Sequence, residues 1–468
     1  MRSFLLVGLF LVIHNTSFSQ DLRRKITKAY ASFSQDTQLA HASISLYVVD
    51  AATGAVLFDQ NSRVGLAPAS TQKVITSVTA YEILGSSFRF KTAFGYTGVL
   101  KDGKLKGDLL IRGSGDPTMG SWRYTGTTEE SVIGSVMQAM KNAGIREIDG
   151  GVYADDHQFE SATTPGGWIW DDLGNYYGAG VSGVNWRENQ YDIIFKPGAD
   201  TGAQPGIIKT VPALYQVRFV NELVTAPKGS GDNSYIYLPP YSNTGYLRGT
   251  IPKENNFKIS GSFPDPSLQT AYVFSEALRS AGYQPGIPDS YYSWSGDKSK
   301  AGLPLTTLYT QVSPSLDSII YWFNKKSINL YGEALIKKIA AEKNGFGSTE
   351  TGLDLLKEFW KVRGIDPTEI DMSDGSGLSP QNRVTTHAQV EVLRYAMSKP
   401  WYPRFLDALP EYNGMKMKSG TIRKVKGYCG YQRSSSGRTY VFSFLVNNYS
   451  GNASSLLPKM YAVLDLLK

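Results

Sequence analysis

The chain has 468 residues, 41% hydrophobic and 19% charged, and its 48 Lys and Arg against 41 Asp and Glu give a net charge of +7. These proportions exclude a disordered chain and a coiled coil, and at roughly 150 residues per domain the length allows about three folded units. A single cysteine, Cys429, excludes an internal disulfide and Cys-rich metal centres; four histidines without an H-E-x-x-H pattern give no reason to expect a metal or a cofactor.

Residues 1–19 read as a secretory signal peptide. Met1-Arg2-Ser3 is a positive start, Phe4 to Ile13 an apolar core, and Ser17-Phe18-Ser19 a small-x-small cleavage site. The apolar core is too short to span a bilayer, which takes about 20 residues, so no transmembrane anchor is expected. The mature chain is expected to begin at Gln20 and to be exported, soluble, and periplasmic or extracellular. Its Lys and Arg are scattered and fit no nucleic-acid module, so no nucleic acid is expected; anionic wall polymers or carboxylate substrates suit the charge better.

Helical spacing runs from Asp21 to Phe33 through Leu22, Ile26 and Tyr30. Ser43–Val49 and Ala55–Asp59 read as strands joined by a turn, and Ala67-Pro68-Ala69-Ser70 opens a helix whose apolar stripe is Val74, Ile75, Val78 and Leu84. From about residue 90 to 300, Gly, Asp, Tyr and Pro recur and turn signals are dense, which predicts a β-rich insertion of two domains, one nested in the other. Helices return at Leu316–Phe323, around Ala334–Ile339, and at Leu353–Val362. The strands Met415–Thr421, Gly427–Arg433 and Thr439–Asn447 and a closing helix over Leu456–Leu467 follow. Residues 20–89 and 301–468 are therefore expected to form one α+β domain, an antiparallel sheet plus a helical lobe, interrupted by the insertion.

Three motifs carry chemistry. Ser70-Thr71-Gln72-Lys73 is an S-x-x-K at a helix start, where residues three apart share a face, so an unprotonated Lys73 amine can take the Ser70 proton without a histidine. Ser327-Ile328-Asn329 is an S-x-N between helices, with a hydroxyl to relay protons and an amide to hold a peptide. Lys418-Ser419-Gly420-Thr421 lies on a strand. Gly420 is expected to let a substrate backbone approach, and Lys418 with the Ser419 and Thr421 hydroxyls suits a carboxylate. Ser295-Gly296-Asp297-Lys298 and Ser450-Gly451-Asn452 repeat two of the patterns, but the first lacks helical context and the second falls after Lys418. Taken singly, the motifs read more readily as a helix cap, a loop turn and a strand turn; their joint order along the chain is the signal that reverses this. No G-x-S-x-G occurs, and His41 and His387 read as structural, with His157 unassigned.

In that order the set resembles the penicillin-recognising serine enzymes of the transpeptidase/β-lactamase fold. Ser327 follows Lys73 by 254 positions, more than a helical lobe needs. That spacing resembles the D-alanyl-D-alanine carboxypeptidase/endopeptidase family, the class C low-molecular-mass penicillin-binding proteins of DacB type. Gly113-Ser114-Gly115-Asp116-Pro117, Gly167-Trp168, Lys326, and Asp374-Gly375-Ser376-Gly377-Leu378-Ser379 with Asn382 agree with it, and Ser419 departs from the usual Thr. The resemblance implies that Ser70 is the nucleophile, Lys73 its base and Ser327 a proton relay. It implies that Asn329, Lys418, Ser419, Gly420 and Thr421 bind peptidoglycan stem peptides, and that β-lactams acylate Ser70. A β-lactamase or esterase on the same fold, and a non-catalytic wall-binding protein using the aromatic-rich insertion, are the competing readings.

Overall fold

The computed structural model describes residues 20–293 and 296–468. The signal-peptide reading and Ser295 fall outside them. A six-stranded antiparallel sheet unites the two ends of the chain. Its order is Val56–Gln60, Ser43–Asp50, Thr439–Asn447, Val425–Arg433, Met415–Ile422 and Glu411–Tyr412. Ser43–Asp50 pairs along its whole length with Thr439–Asn447, so a strand from the start and a strand from the end sit side by side. Alternating side chains serve two cores. Leu46, Phe442 and Phe444 pack with Leu22, Ile26 and Met460 from the helix over 20–34 and the Ala453–Leu464 helix. On the other face Val49, Cys429 and Val441 pack with the Lys73–Leu84, Asn329–Asn344, Thr349–Lys361 and Thr386–Met397 helices.

Between these ends lies a region with its own cluster of buried residues around Phe94, Trp186 and Phe274. Strand Lys91–Tyr96 pairs with Thr306–Val312, so chain entering and leaving the region runs side by side. A five-stranded sheet is followed by a three-stranded and a four-stranded one, the latter two built wholly from residues 190–262. The region is not strand alone. Helices occupy Glu129–Asn142 and Pro266–Ser280. Val132, Val136 and Met140 recur at four-residue spacing and are buried, Thr128 caps one helix and Asp265 the other. The dense turns on either side outweigh these helical signals in a reading by composition. Among the described residues no helix is long and apolar enough to cross a membrane.

Candidate active site

The three motifs converge at the junction of sheet and helices. Ser70 lies on a tight turn, Ala69–Gln72, that runs directly into the Lys73–Leu84 helix. Ala69 holds a left-handed φ of 47°, a conformation that costs a non-glycine residue about 1–3 kcal/mol and survives only where its surroundings enforce it. Two glycines supply that enforcement. A Cβ on Gly377 would sit 2.0 Å from the Ala69 carbonyl oxygen, and one on Gly420 would sit 2.5 Å from the Pro68 oxygen and 2.9 Å from the Ser70 nitrogen. Gly420 therefore faces the turn that carries Ser70. Its missing side chain makes room for the protein's own backbone, where the sequence suggested room for a substrate.

Lys73 is fully buried and its Nζ has three polar neighbours: Ser70 Oγ at 2.9 Å, Asn329 Oδ1 at 2.7 Å and the Ser376 carbonyl at 2.6 Å. The Asn329 orientation is fixed because its Nδ2 donates to the Tyr177 carbonyl at 2.8 Å. Asn329 Oδ1 and the Ser376 carbonyl can only accept. A neutral amine has two protons and one lone pair. The two acceptors use both protons, and the lone pair is left for the Ser70 hydroxyl. Burial first, then the nearby Lys418 charge, holds the Lys73 pKa well below its ordinary value, against the opposing pull of Asp374 and Glu333.

Glu333 was not visible as a site residue from sequence. Its Oε2 accepts from the Gly375 N–H at 2.8 Å. Burial, then repulsion from Asp374, pushes its carboxyl up to about 8, so at neutral pH it is mostly an uncharged acid and does little to hold Lys73 protonated. Asp374 is the hub of the glycine-rich loop. It accepts from the Gly377 and Ser379 N–H groups at 2.6 Å each and from Trp168 Nε1 at 2.9 Å. Gln72 donates to both its side chain and its carbonyl. This loop presents the Ser376 carbonyl to Lys73. Through Trp168 and Tyr177 the region inserted between the motifs braces the site.

Ser327 sits in the break between the Leu316–Lys325 and Asn329–Asn344 helices with a left-handed φ of 57°. Its Oγ accepts from Lys418 Nζ at 3.1 Å, and Lys418 also donates to the Ser419 carbonyl at 2.9 Å. One Lys418 proton remains free. Burial, the largest influence, lowers the Lys418 pKa to about 7. Thr421 is exposed and its Oγ1 accepts from Lys426 at 2.9 Å; Ser419 is half-buried. Cys429 lies beneath the Ser70 turn, its thiol pushed up to about 12 by burial.

Ser70, Ser327, Asn329 and Thr421 open together into a cleft of about 570 Å³, with Gly377, Leu378 and Arg423 on one side and Ile169, Asp171, Asp172, Tyr177 and Tyr235 from the inserted region on the other. The competing motif is elsewhere: Asn452 caps the Ala453–Leu464 helix. His387 bonds Glu369 at 2.9 Å and His157 bonds Asp155, both away from the cleft.

A model of the D-Ala-D-Ala carboxypeptidase 3 (S13) family matches residues 26–411. A D-alanyl-D-alanine carboxypeptidase of Actinomadura sp. (strain R39) is 27% identical over 92% of this chain and 82% of its own length. The D-alanyl-D-alanine carboxypeptidase DacB of Haemophilus influenzae is 24% identical over 84% and 83%. The crystal structure of penicillin-binding protein 4 (dacB) from Haemophilus influenzae superposes with a TM-score of 0.79 at 21% identity, covering 94% of this chain and 99% of that one. The fold of that protein is this fold. With a family match over most of its length and the motif order already read from its sequence, the chain belongs to the D-Ala-D-Ala carboxypeptidase 3 (S13) family.

Proposed function

We propose that this chain removes the terminal D-Ala of peptidoglycan stem peptides through an acyl-enzyme on Ser70. The observation that carries the reading is the buried Lys73 amine, 2.9 Å from Ser70 Oγ, whose other two neighbours accept its protons. Neutral Lys73 takes the hydroxyl proton as Ser70 Oγ bonds to the penultimate D-Ala carbonyl. The oxyanion lies between the backbone N–H groups of Ser70 and Thr421, an arrangement worth roughly 3–4 kcal/mol per donor. The proton Lys73 took is relayed through the Ser327 hydroxyl, itself bonded to Lys418, to the leaving amine; the C–N bond breaks, D-Ala departs, and Lys73 is neutral again. Lys73 then takes a proton from the water that attacks the ester and returns it to Ser70 Oγ as the acyl–oxygen bond breaks. Asn329 holds the acylated peptide, and Lys418, Ser419 and Thr421 bind the terminal carboxylate.

β-Lactams present a strained amide to the same serine and acylate it. The same cleft accommodates the cross-linked form of the substrate, giving endopeptidase action. Residues 20–89 and 301–468 form the catalytic domain and 90–300 the nested insertion. Residues 1–19 direct export, which N-terminal sequencing of the exported protein checks by finding Gln20 first.

The direct test is intact-protein mass spectrometry after penicillin, with the adduct mapped to a peptide. A single adduct on Ser70, lost together with D-Ala release in folded Ser70→Ala, is the expected result. An adduct that persists in the variant contradicts it.

A further inference from the structure

One wall of the cleft continues outward as an exposed aromatic face. Strand Asn233–Tyr237 pairs antiparallel with Thr244–Pro252, placing Tyr235 opposite Arg248 and Tyr237 opposite Tyr246. Opposed residues share a face, and Arg218–Asn221 adds Val220 beside Tyr246. Ile236 and Leu247, between them, point into the core. The outer face is therefore Tyr235, Tyr237, Tyr246, Arg248 and Val220, with Trp170 stacked on Tyr237 at 5.8 Å and 28°. The Arg248 guanidinium lies 5.5 Å from the centres of both the Tyr237 and Tyr246 rings and is braced by Glu222. Trp170, Tyr235 and Tyr246 are 49%, 43% and 39% exposed. A contiguous surface of rings in water marks a binding site more often than chance.

We propose that this face binds the sugar chain to which the stem peptide in the cleft is attached. The inference rests on the carboxypeptidase reading above. Its ground is continuity. Tyr235 lines the cleft itself, and Tyr237 lies beside Asp171, which lines it too. Along the strand Tyr237 lies about 7 Å beyond Tyr235, and Tyr246 about 5 Å further across the pair. A five-residue stem peptide spans at most about 18 Å when extended. These offsets are shorter than the stem, so a stem lying in the cleft beside Tyr235 can place its sugar end at these rings. The chemistry fits as well. Flat rings offer apolar surface to the C–H faces of pyranoses, and the tyrosine hydroxyls and the Arg248 N–H groups offer partners to sugar hydroxyls. The face also carries two arginines, Arg248 paired with Glu222 and Arg218 donating to Thr244 Oγ1, whose N–H groups can bond sugar oxygens.

The test uses the full chain and peptide-free glycan strands stripped from peptidoglycan. Saturable binding by calorimetry is expected, weakened about tenfold by Tyr246→Ala and by Trp170→Ala and retained in Tyr246→Phe, which keeps the ring. Tyr246→Ala should also lose the preference for a disaccharide-linked pentapeptide over the free one, while its release of D-Ala from free pentapeptide is unchanged. That release reports the carboxypeptidase reading separately. If wild type binds glycan but releases no D-Ala, the failure is of that reading. Absence of saturable glycan binding, or equal binding by wild type and both alanine variants, overturns the proposal. A dimer abolished by Tyr246→Ala, without glycan binding, overturns it too and assigns the face to a second copy. Should one alanine variant unfold, the other and Tyr246→Phe still decide.

Discussion

At the floor of the cleft Lys73 and Lys418 are at most 1% exposed, whereas on its wall Trp170 is 49% and Tyr235 43% exposed. On the floor almost every polar bond runs between parts of the protein. Asn329 binds Lys73 and Tyr177; Asp374 binds Trp168, Gln72 and its own loop. On the wall the rings stack on one another and leave their outer faces to solvent. The floor sets proton positions before any substrate arrives, because burial decides which state of each lysine is stable. The wall contributes contact area and no proton chemistry. Substitutions on the floor should therefore change rate and stability together, and those on the wall affinity alone.

The largest stability effect is expected at Asp374. Asp374→Ala strands the buried Trp168 donor and the Ser376, Gly377 and Ser379 N–H groups, and removes a side-chain partner of Gln72 and of Asn382. The expected cost is on the order of 3–5 kcal/mol, read by denaturant unfolding. Penicillin acylation should fall with it, since the loop positions the Ser376 carbonyl against Lys73. Unchanged stability would mean the floor is not braced from the inserted region.

Lys418→Ala should cost about 1.5–3 kcal/mol in kcat/KM, roughly ten- to a hundredfold, for a peptide ending in a free carboxylate. The loss for the C-terminal amide should be much smaller. In wild type the preference for the free carboxylate should decline as pH rises past about 7, as Lys418 loses its proton. Equal losses for both peptides would remove Lys418 from the carboxylate site.

Glu333 makes a subtler claim. Its carboxyl is pushed from 4.5 to about 8 in the fold. Its folded value is the higher one, so the protonated acid favours the folded state. That stabilisation is complete below about pH 4.5 and is lost as pH climbs to about 8. Glu333→Gln cannot ionise, so its thermal midpoint should fall less than that of wild type between those limits. A parallel pH dependence in both proteins would place the ionised carboxylate in the fold. The smallest effect is expected for Ser419→Thr. It keeps the hydroxyl on a half-buried side chain and should stay within about 0.5 kcal/mol in stability and in peptide turnover.

Much of the site was legible because its parts are local. Ser70 and Lys73 are one helical turn apart, and Ser327 with Asn329 marks a helix break, so spacing and element type suffice. The strand Thr439–Asn447 is buried on both faces, and its short run of aromatic and β-branched residues between turn signals is enough to mark it. What escaped acts through backbone or across long sequence gaps. The Ser376 and Tyr177 carbonyls carry no side-chain signature, and the reason for Gly420 appears only when the turn at Pro68–Ser70 lies against it. Glu333 left a trace, a carboxylate set among Leu330, Ala334, Leu335 and Ile336 on a buried helix. The helices Glu129–Asn142 and Pro266–Ser280 carried caps and periodic apolar residues that the surrounding turns obscured.

The central claim is that Lys73 acts as a neutral base, and the second-order rate of penicillin acylation across pH tests it most directly. Lowering of its pKa predicts that the wild-type rate rises with pH as the amine loses its proton. Arginine keeps the charge and cannot give it up, so Lys73→Arg should lose acylation nearly as fully as Lys73→Ala, by about a hundredfold to ten-thousandfold. A Lys73→Arg rate close to wild type across the pH range would contradict it.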